Sequence, residues 1–206
     1  MTTSGRRSFS EERGQKRAIE RKERKMDNAK LTVTAPVRTW REKGGVITFS
    51  VTSNDRTGEG WIIYFKSKGI ELTGWAKDLL RSPDFKPTSG ITTDIVVLNG
   101  SLFTDADRVT EKIRARAKEY QFQTPNAEVA CLIRDLFTDE EIKAMGLTWI
   151  VTMHDPIEDR DFDPSLLCTG RSDGDPWLST FYVEPVSRWN RDDGFVFVVA
   201  QVSPYR

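Results

Sequence analysis

The segment from Val151 to Leu167, VTMHDPIEDRDFDPSLL, holds the residues whose types best suit chemistry. His154 is the only histidine in the chain, and five carboxylates follow it within nine residues. An imidazole titrates near neutral pH and a neighbouring carboxylate fixes its tautomer, so His154 and Asp155 are candidate catalytic residues. The alternative interpretation is a polar turn at the end of a buried strand.

The alternate spacing of Asp159, Asp161 and Asp163 makes them candidate metal ligands, with Ca²⁺ or Mg²⁺ as the cation. Calcium loops of the EF-hand type place oxygen ligands at positions one, three and five. The same loops need Gly at position six and Glu at position twelve, where this chain has Pro164 and Gly170. The pattern is therefore incomplete, and a solvated turn is the alternative. No cofactor is expected unless this loop binds a cation.

No nucleophile motif stands beside the histidine. A catalytic zinc site usually needs more than one imidazole, and HDP has none of the spacings of known zinc motifs. The two cysteines, Cys131 and Cys168, are too few and too far apart for a zinc signature. A metal-dependent hydrolase of the phosphoesterase or nuclease type, using His154 and the following carboxylates, is therefore an alternative function rather than the leading one.

The first 30 residues carry the strongest charge signal. The whole chain is neutral, with 31 Lys and Arg against 31 Asp and Glu, but residues 1–30 have ten bases and five acids and so a net charge of +5. Lys and Arg at this density neutralise phosphates and release counterions, which favours binding of DNA or RNA. The candidate nucleic-acid-binding residues are Arg6, Arg7, Arg13, Lys16, Arg17, Arg21, Lys22, Arg24 and Lys25. An acidic protein is the alternative partner.

A second group of bases falls on a predicted helix over residues 104–120. Arg108, Lys112 and Arg116 recur at i,i+4 spacing, with Arg114 and Lys118 beside them. Glu111 and Glu119 interrupt this row, so an ordinary solvent-exposed helix face is the preferred interpretation and an extension of a phosphate-binding surface is the alternative.

Two segments follow from the pattern of apolar residues. Residues 1–30, the basic arm, have no continuous apolar stripe and are predicted to be disordered or a frayed helix. Residues 31–206 are predicted to form a single α+β domain, in which a small, mostly antiparallel sheet carries several helices on one face. The predicted strands are 31–35, 46–52, 91–98, 147–153, 177–183 and 194–202, and the predicted helices are 57–69, 72–83, 104–120, 124–136 and 138–146. Residues 154–193 are predicted to be mainly a long acidic loop.

The leading prediction is a non-enzymatic intracellular binding or accessory protein whose basic arm contacts nucleic acid or an acidic partner. No apolar run reaches membrane-spanning length and the N-terminus is charged, so we expect a cytoplasmic chain with no membrane partner. A third alternative is a protein–protein interaction module that uses the acidic 154–193 region with Trp177 and Trp189. The sequence alone does not indicate an oligomeric state.

Overall fold

The computed structural model of the chain describes residues 39–172 and 175–200. The basic arm and the predicted strand 31–35 lie outside these ranges. The described strands are β1 (Arg41–Lys43), β2 (Val46–Asn54), β3 (Glu71–Leu72), β4 (Ser89–Asn99), β5 (Phe122–Gln123), β6 (Trp149–Thr152), β7 (Ile157–Glu158), β8 (Pro164–Ser172), β9 (Asp175–Tyr182) and β10 (Asp193–Val199). The described α-helices are α1 (Gly58–Ser67), α2 (Gly74–Arg81), α3 (Thr110–Glu119), α4 (Glu128–Leu136) and α5 (Asp139–Ala144). None of the described helices is long and apolar enough to cross a membrane.

The ten described strands form one mixed sheet, in the order β1-β2-β4-β10-β6-β8-β9-β3, with β5 paired to β10 and β7 paired to β8. The pairs β10–β6 and β3–β9 are parallel, and the other pairs among the described strands are antiparallel. The α+β class is therefore confirmed. The predicted small sheet is wrong, because the sheet is large.

Strand β8 accounts for much of this difference in size. The sequence of β8, PSLLCTGRS, lies inside the predicted acidic loop of residues 154–193. Asp and Pro residues on its N-terminal side obscured its short apolar run. Leu166, Leu167 and Cys168 are nevertheless fully buried, and β8 pairs with both β6 and β9. The region that was predicted to be mainly a loop therefore contributes β8 in addition to β9, which overlaps the predicted strand 177–183.

Helices cover both faces of the sheet, and the prediction of helices on one face is wrong. On the first face, residues of α1, α2, α4 and α5 share a core with Val97 and Ile150 of the strands. On the second face, Ile113 and Ala117 of α3 pack in a separate core with Phe195. The central strands are apolar at consecutive positions, so each face has apolar side chains that must be covered.

The start of a helix agrees best with the predicted range where a capping side chain is present. Thr57 caps α1, since its Oγ1 accepts a hydrogen bond from the N–H of Gly60 at 3.1 Å. Thr138 and Glu141 form a capping box at the start of α5, as the spacing of Thr and Glu three residues apart predicts. Helices α3 and α4 have no capping side chain, and they begin at Thr110 and Glu128 rather than at the predicted residues 104 and 124.

The β1–β2 hairpin turns through Gly44 and Gly45, whose φ values are +60° and +79°. Two successive positive φ values are typical of the tight turn that joins antiparallel strands, and glycine adopts them without steric cost. The turn fixes the register in which Arg41 pairs with Thr48 and Lys43 with Val46. Residues opposite each other in such a ladder lie on the same face of the sheet.

Candidate functional site

His154 lies just after the end of β6, as predicted, and only 1% of the residue is exposed. Its Nε2 accepts a hydrogen bond from the backbone N–H of Leu167 at 2.9 Å. Its Nδ1 therefore carries the proton and donates to the carbonyl oxygen of Asp155 at 2.7 Å. Both ring nitrogens are engaged by main-chain groups, so the imidazole joins the end of β6 to β8.

The surroundings of His154 favour its neutral form. Burial lowers the pKa of His154 to about 4, and the neighbouring Arg114 guanidinium also lowers it. Arg114 donates hydrogen bonds to the carbonyl oxygens of Met153 and His154, at 2.9 and 2.7 Å. At neutral pH the ring is uncharged, and its one lone pair is already used by Leu167.

Asp155, the predicted partner of His154, is exposed and bonds the imidazole through its main-chain carbonyl. A cavity of about 320 Å³ borders both residues and is also lined by Asp84 and Lys86. Among the described residues that line it there is no Ser, Thr or Cys to serve as a nucleophile. The structure therefore brings together the predicted pair without a third group for nucleophilic catalysis.

One sequence pattern for a nucleophile was overlooked. Residues 170–174 read GRSDG, which has the GxSxG spacing of a nucleophile elbow. An elbow leads from a strand into a helix, whereas this segment lies where β8 is followed by its antiparallel neighbour β9. The surrounding fold does not match that of an elbow.

The carboxylate of Asp159 organises the turn between β7 and β8. Its Oδ1 accepts hydrogen bonds from the N–H groups of Asp161 and Asp163, at 2.9 and 3.2 Å. Its Oδ2 accepts from the Ser165 hydroxyl at 3.3 Å. Asp161 in turn accepts from the indole N–H of Trp75 at 3.2 Å. These bonds fit a structural turn, and in the described ranges no group of three His, Cys, Asp or Glu side chains is arranged to hold a metal ion.

We expect Ca²⁺ or Mg²⁺ to leave the melting temperature of the protein unchanged. A site saturated at 100 times its dissociation constant would stabilise the fold by about 2.7 kcal/mol, which shifts the melting temperature by several degrees. Differential scanning calorimetry with each cation, and with a chelator, measures this shift. A saturable rise that disappears in Asp161→Asn would contradict the expectation and support the metal site.

Most bases of the predicted row near α3 already bond other groups of the protein. Arg108 precedes the helix, is buried, and donates to the carbonyl oxygens of Gly100 and Phe103, both at 2.9 Å. Lys112 pairs with Asp107 at 2.8 Å, and Arg116 pairs with Glu119 at 3.0 Å. These contacts agree with the interpretation of α3 as an ordinary charged helix face, and they place Arg108 in a structural role.

A second candidate surface lies on the part of the second sheet face that α3 does not cover. Thr48, Ser50 and Thr52 of β2 are exposed there, and the Ser50 hydroxyl donates to Asp94 of β4 at 2.6 Å. The register places Arg41 on this same face. Lys43 shares the face by strand alternation. Both bases are exposed, and neither has an ion-pair partner among the described residues.

Two aromatic side chains lie beyond β10 on the same side of the sheet. Tyr120 is 53% exposed, and its ring centroid lies 5.8 Å from that of the half-buried Phe122. The Arg116 guanidinium lies 5.2 Å from the centre of the Tyr120 ring. Phe122 belongs to β5, which pairs with β10, and it packs against the second core. We call the set Arg41, Lys43, Thr48, Ser50, Thr52, Tyr120 and Phe122 the open face.

Sequence reasoning missed the open face. The short β1 carries no strong strand pattern, and β5 has two residues. The alternation of Thr and Ser in VITFSVTSN was the available signal, since it predicts one polar side of β2. Trp189, which was assigned to an interaction surface, is buried, with its indole N–H donating to Thr110 at 3.1 Å.

No protein-family model matches the chain, and no curated protein or solved structure is significantly similar to it. The nine candidate bases of the basic arm lie outside the described residues. The charge of the sequence and the contacts of residues 39–172 and 175–200 are therefore what indicates a function.

Proposed function

We propose that this chain is a non-enzymatic binding protein for single-stranded nucleic acid. The observation that carries the proposal is the charge distribution: the basic arm has a net charge of +5, and the remaining 176 residues have a net charge of −5. A segment of this charge binds phosphates without regard to sequence and with strong dependence on salt. The acidic remainder limits such binding elsewhere on the chain.

The open face favours a single strand over a duplex. Single-stranded nucleic acid exposes its bases, which stack on aromatic side chains, while Lys and Arg contact the backbone phosphates. Tyr120 and Phe122 supply two neighbouring rings, and Arg41 and Lys43 supply two unpaired charges. The exposed Thr48 hydroxyl adds a hydrogen-bond donor, whereas the Thr52 hydroxyl is bonded to that of Thr92 at 2.9 Å. Asp94 lies on this face too, but its carboxylate accepts from Ser50.

The contacts of His154 are the reason for preferring binding to catalysis. General acid–base catalysis requires a ring nitrogen that reaches a substrate. Here one nitrogen accepts from Leu167 and the other donates to Asp155, and burial keeps the pKa of the ring near 4. The hydrolase alternative therefore has no specific support from the described residues.

Fluorescence anisotropy with a labelled poly-dT strand, its duplex, and poly-glutamate of equal charge tests the proposal. We expect the full chain to bind the single strand most tightly at low salt. Stacking of one base contributes about 1–3 kcal/mol, so Tyr120→Ala should raise the dissociation constant for poly-dT roughly tenfold. Trp75→Ala is the matched control, because Trp75 is 49% exposed on another element.

Each outcome of this experiment has a distinct meaning. Tighter binding of poly-glutamate than of poly-dT would reject nucleic acid as the ligand class and would favour an acidic protein as the partner of the basic arm. Equal binding of single strand and duplex, unaffected by Tyr120→Ala, would leave the basic arm as the binding element and remove the open face from the proposal. No binding of any nucleic acid at low salt would overturn the proposed function.

A further inference from the structure

Phe162 is an aromatic side chain that contributes little to the fold. It is 80% exposed, the highest exposure among the large hydrophobic residues described. Its φ value is +63°, a left-handed conformation that bulky side chains rarely adopt and that costs free energy. A folded chain that holds an exposed ring in a strained conformation gains nothing from it in stability, so the ring is a candidate for contact with another molecule.

The turn that carries Phe162 is held firmly against α2. The Arg160 guanidinium pairs with Asp78 and also donates to the carbonyl oxygen of Gly74. Asp161, which directly precedes Phe162, accepts a hydrogen bond from the indole N–H of Trp75, a side chain of α2 that is 49% exposed. The main chain of the turn is therefore held in place on both sides of Phe162, whose own N–H donates to the carbonyl oxygen of Asp159 at 3.1 Å. Asp161 and Asp163 flank it in sequence, and we call this turn, residues 159–163, the Phe162 knob.

A groove with complementary properties lies between α1 and α2. It has a volume of about 460 Å³, and its apolar lining includes Ile62, Ile63 and Leu72. Ile63 is 64% exposed, although it is a large aliphatic residue on a helix. The charged residues that line the groove are Glu59, Lys66, Glu71, Lys77 and Arg81. Glu59 pairs with Arg81, which leaves two lysines and one glutamate and thus a net positive border.

We infer that the Phe162 knob of one molecule inserts into the α1–α2 groove of a second copy of this chain. The knob carries three aspartates and one arginine, so its charge is opposite to that of the groove border. Complementary charges of this kind orient two surfaces as they meet.

The positions of the knob and the groove on one molecule fit a two-fold dimer. Both surfaces involve α2: Gly74 and Asp78 hold the knob, whereas Lys77 and Arg81 line the groove. In a two-fold dimer the knob of each molecule enters the groove of the other, so the same contact forms twice. Two adjacent surfaces on one helix allow both contacts to form within a single interface.

Sedimentation equilibrium of the full chain, after nuclease treatment to remove bridging nucleic acid, measures the dimer. We expect concentration-dependent association that weakens at least about a hundredfold in Phe162→Ala, because each substitution removes two buried rings from a two-fold dimer. Ile63→Ser should weaken association from the groove side. Both residues are exposed, so both variants should keep the melting temperature of the parent chain at a concentration where the parent is monomeric, and this is the control for folding.

A charge exchange tests the pairing directly. Asp163→Lys and Lys66→Glu should each associate poorly alone, because both contacts then bring like charges together. An equimolar mixture should recover the parent association, since the mixed dimer contains one native and one exchanged pair. Monomers at every concentration, or association that is unchanged by Phe162→Ala, would overturn the inference. Weakened single variants without recovery in the mixture would also overturn the proposed pairing of knob and groove.

Discussion

Acidification from pH 7 to pH 4 should remove about 3 kcal/mol of stability through His154 alone. The pKa of His154 is about 4 in the folded protein, below the ordinary value of 6.5, because the ring is buried. Between these two pH values the unfolded chain binds the proton and the folded chain does not. The stabilising contribution is therefore complete above pH 6.5 and is lost as the pH falls towards 4.

Urea unfolding of the parent chain and of His154→Gln between pH 4 and pH 7.5 measures this contribution. At pH 7 the variant should be less stable, because glutamine does not reproduce both main-chain bonds. The difference between the two proteins should shrink as the pH falls. Parallel stability profiles over the whole range would contradict a buried, neutral histidine and would revive its role as an acid–base group.

Asp193 titrates in the same range with the opposite sign and must be controlled. Burial raises the pKa of Asp193 to about 6, from an ordinary value of 3.8. The folded chain therefore holds this proton where the unfolded chain has lost it, so the contribution is present below pH 3.8 and is lost as the pH rises through 6. The histidine comparison should be repeated in an Asp193→Asn background, where the histidine profile appears without this opposing change.

Removal of residues 1–30 should weaken binding of single-stranded nucleic acid by roughly tenfold or more at low salt. The deletion removes ten bases and five acids. Each phosphate contact that is lost releases fewer counterions from the strand on binding, so the affinity falls. Fluorescence anisotropy of the two chains with the same poly-dT strand measures the change. The binding that remains in the shortened chain measures the affinity of the open face.

A charge-neutral variant separates charge from length. Replacement of Arg6, Arg7, Lys16, Arg17 and Lys22 by glutamine keeps all 30 residues and brings their net charge to zero. It should bind nearly as weakly as the deletion. If it binds as the parent chain does while the deletion binds weakly, features other than net charge carry the binding.

The sequence predicted those parts of the fold that depend on local patterns. The polar and apolar alternation of β2 and the capping box at Thr138 and Glu141 required only neighbouring residues, and both are present. Strand β8 was missed because its central position depends on β6 and β9, which pair with it across the chain. Without β8 the predicted sheet was too small, and the second face with its own helix was not foreseen.

At the candidate site, too, the features set by neighbouring residues were predicted and those set by distant contacts were not. The position of His154 after a buried strand was predicted correctly, but its partner Leu167 belongs to the strand that was missed. Trp75 lies in the predicted helix 72–83, but its bond to Asp161, which is 86 residues away in the sequence, could not be read from the local pattern. The left-handed conformation of Phe162 also depends on such distant contacts.

The salt dependence of poly-dT binding tests the central claim most directly. For single strands, the logarithm of the association constant falls with the logarithm of salt concentration by about 0.7 for each phosphate neutralised. If a net charge of five is responsible, the slope for the full chain should be steeper than that for the chain lacking residues 1–30 by between about 3 and 4. Equal slopes for the two chains would contradict the account, because the basic arm would then make no net contact with phosphates.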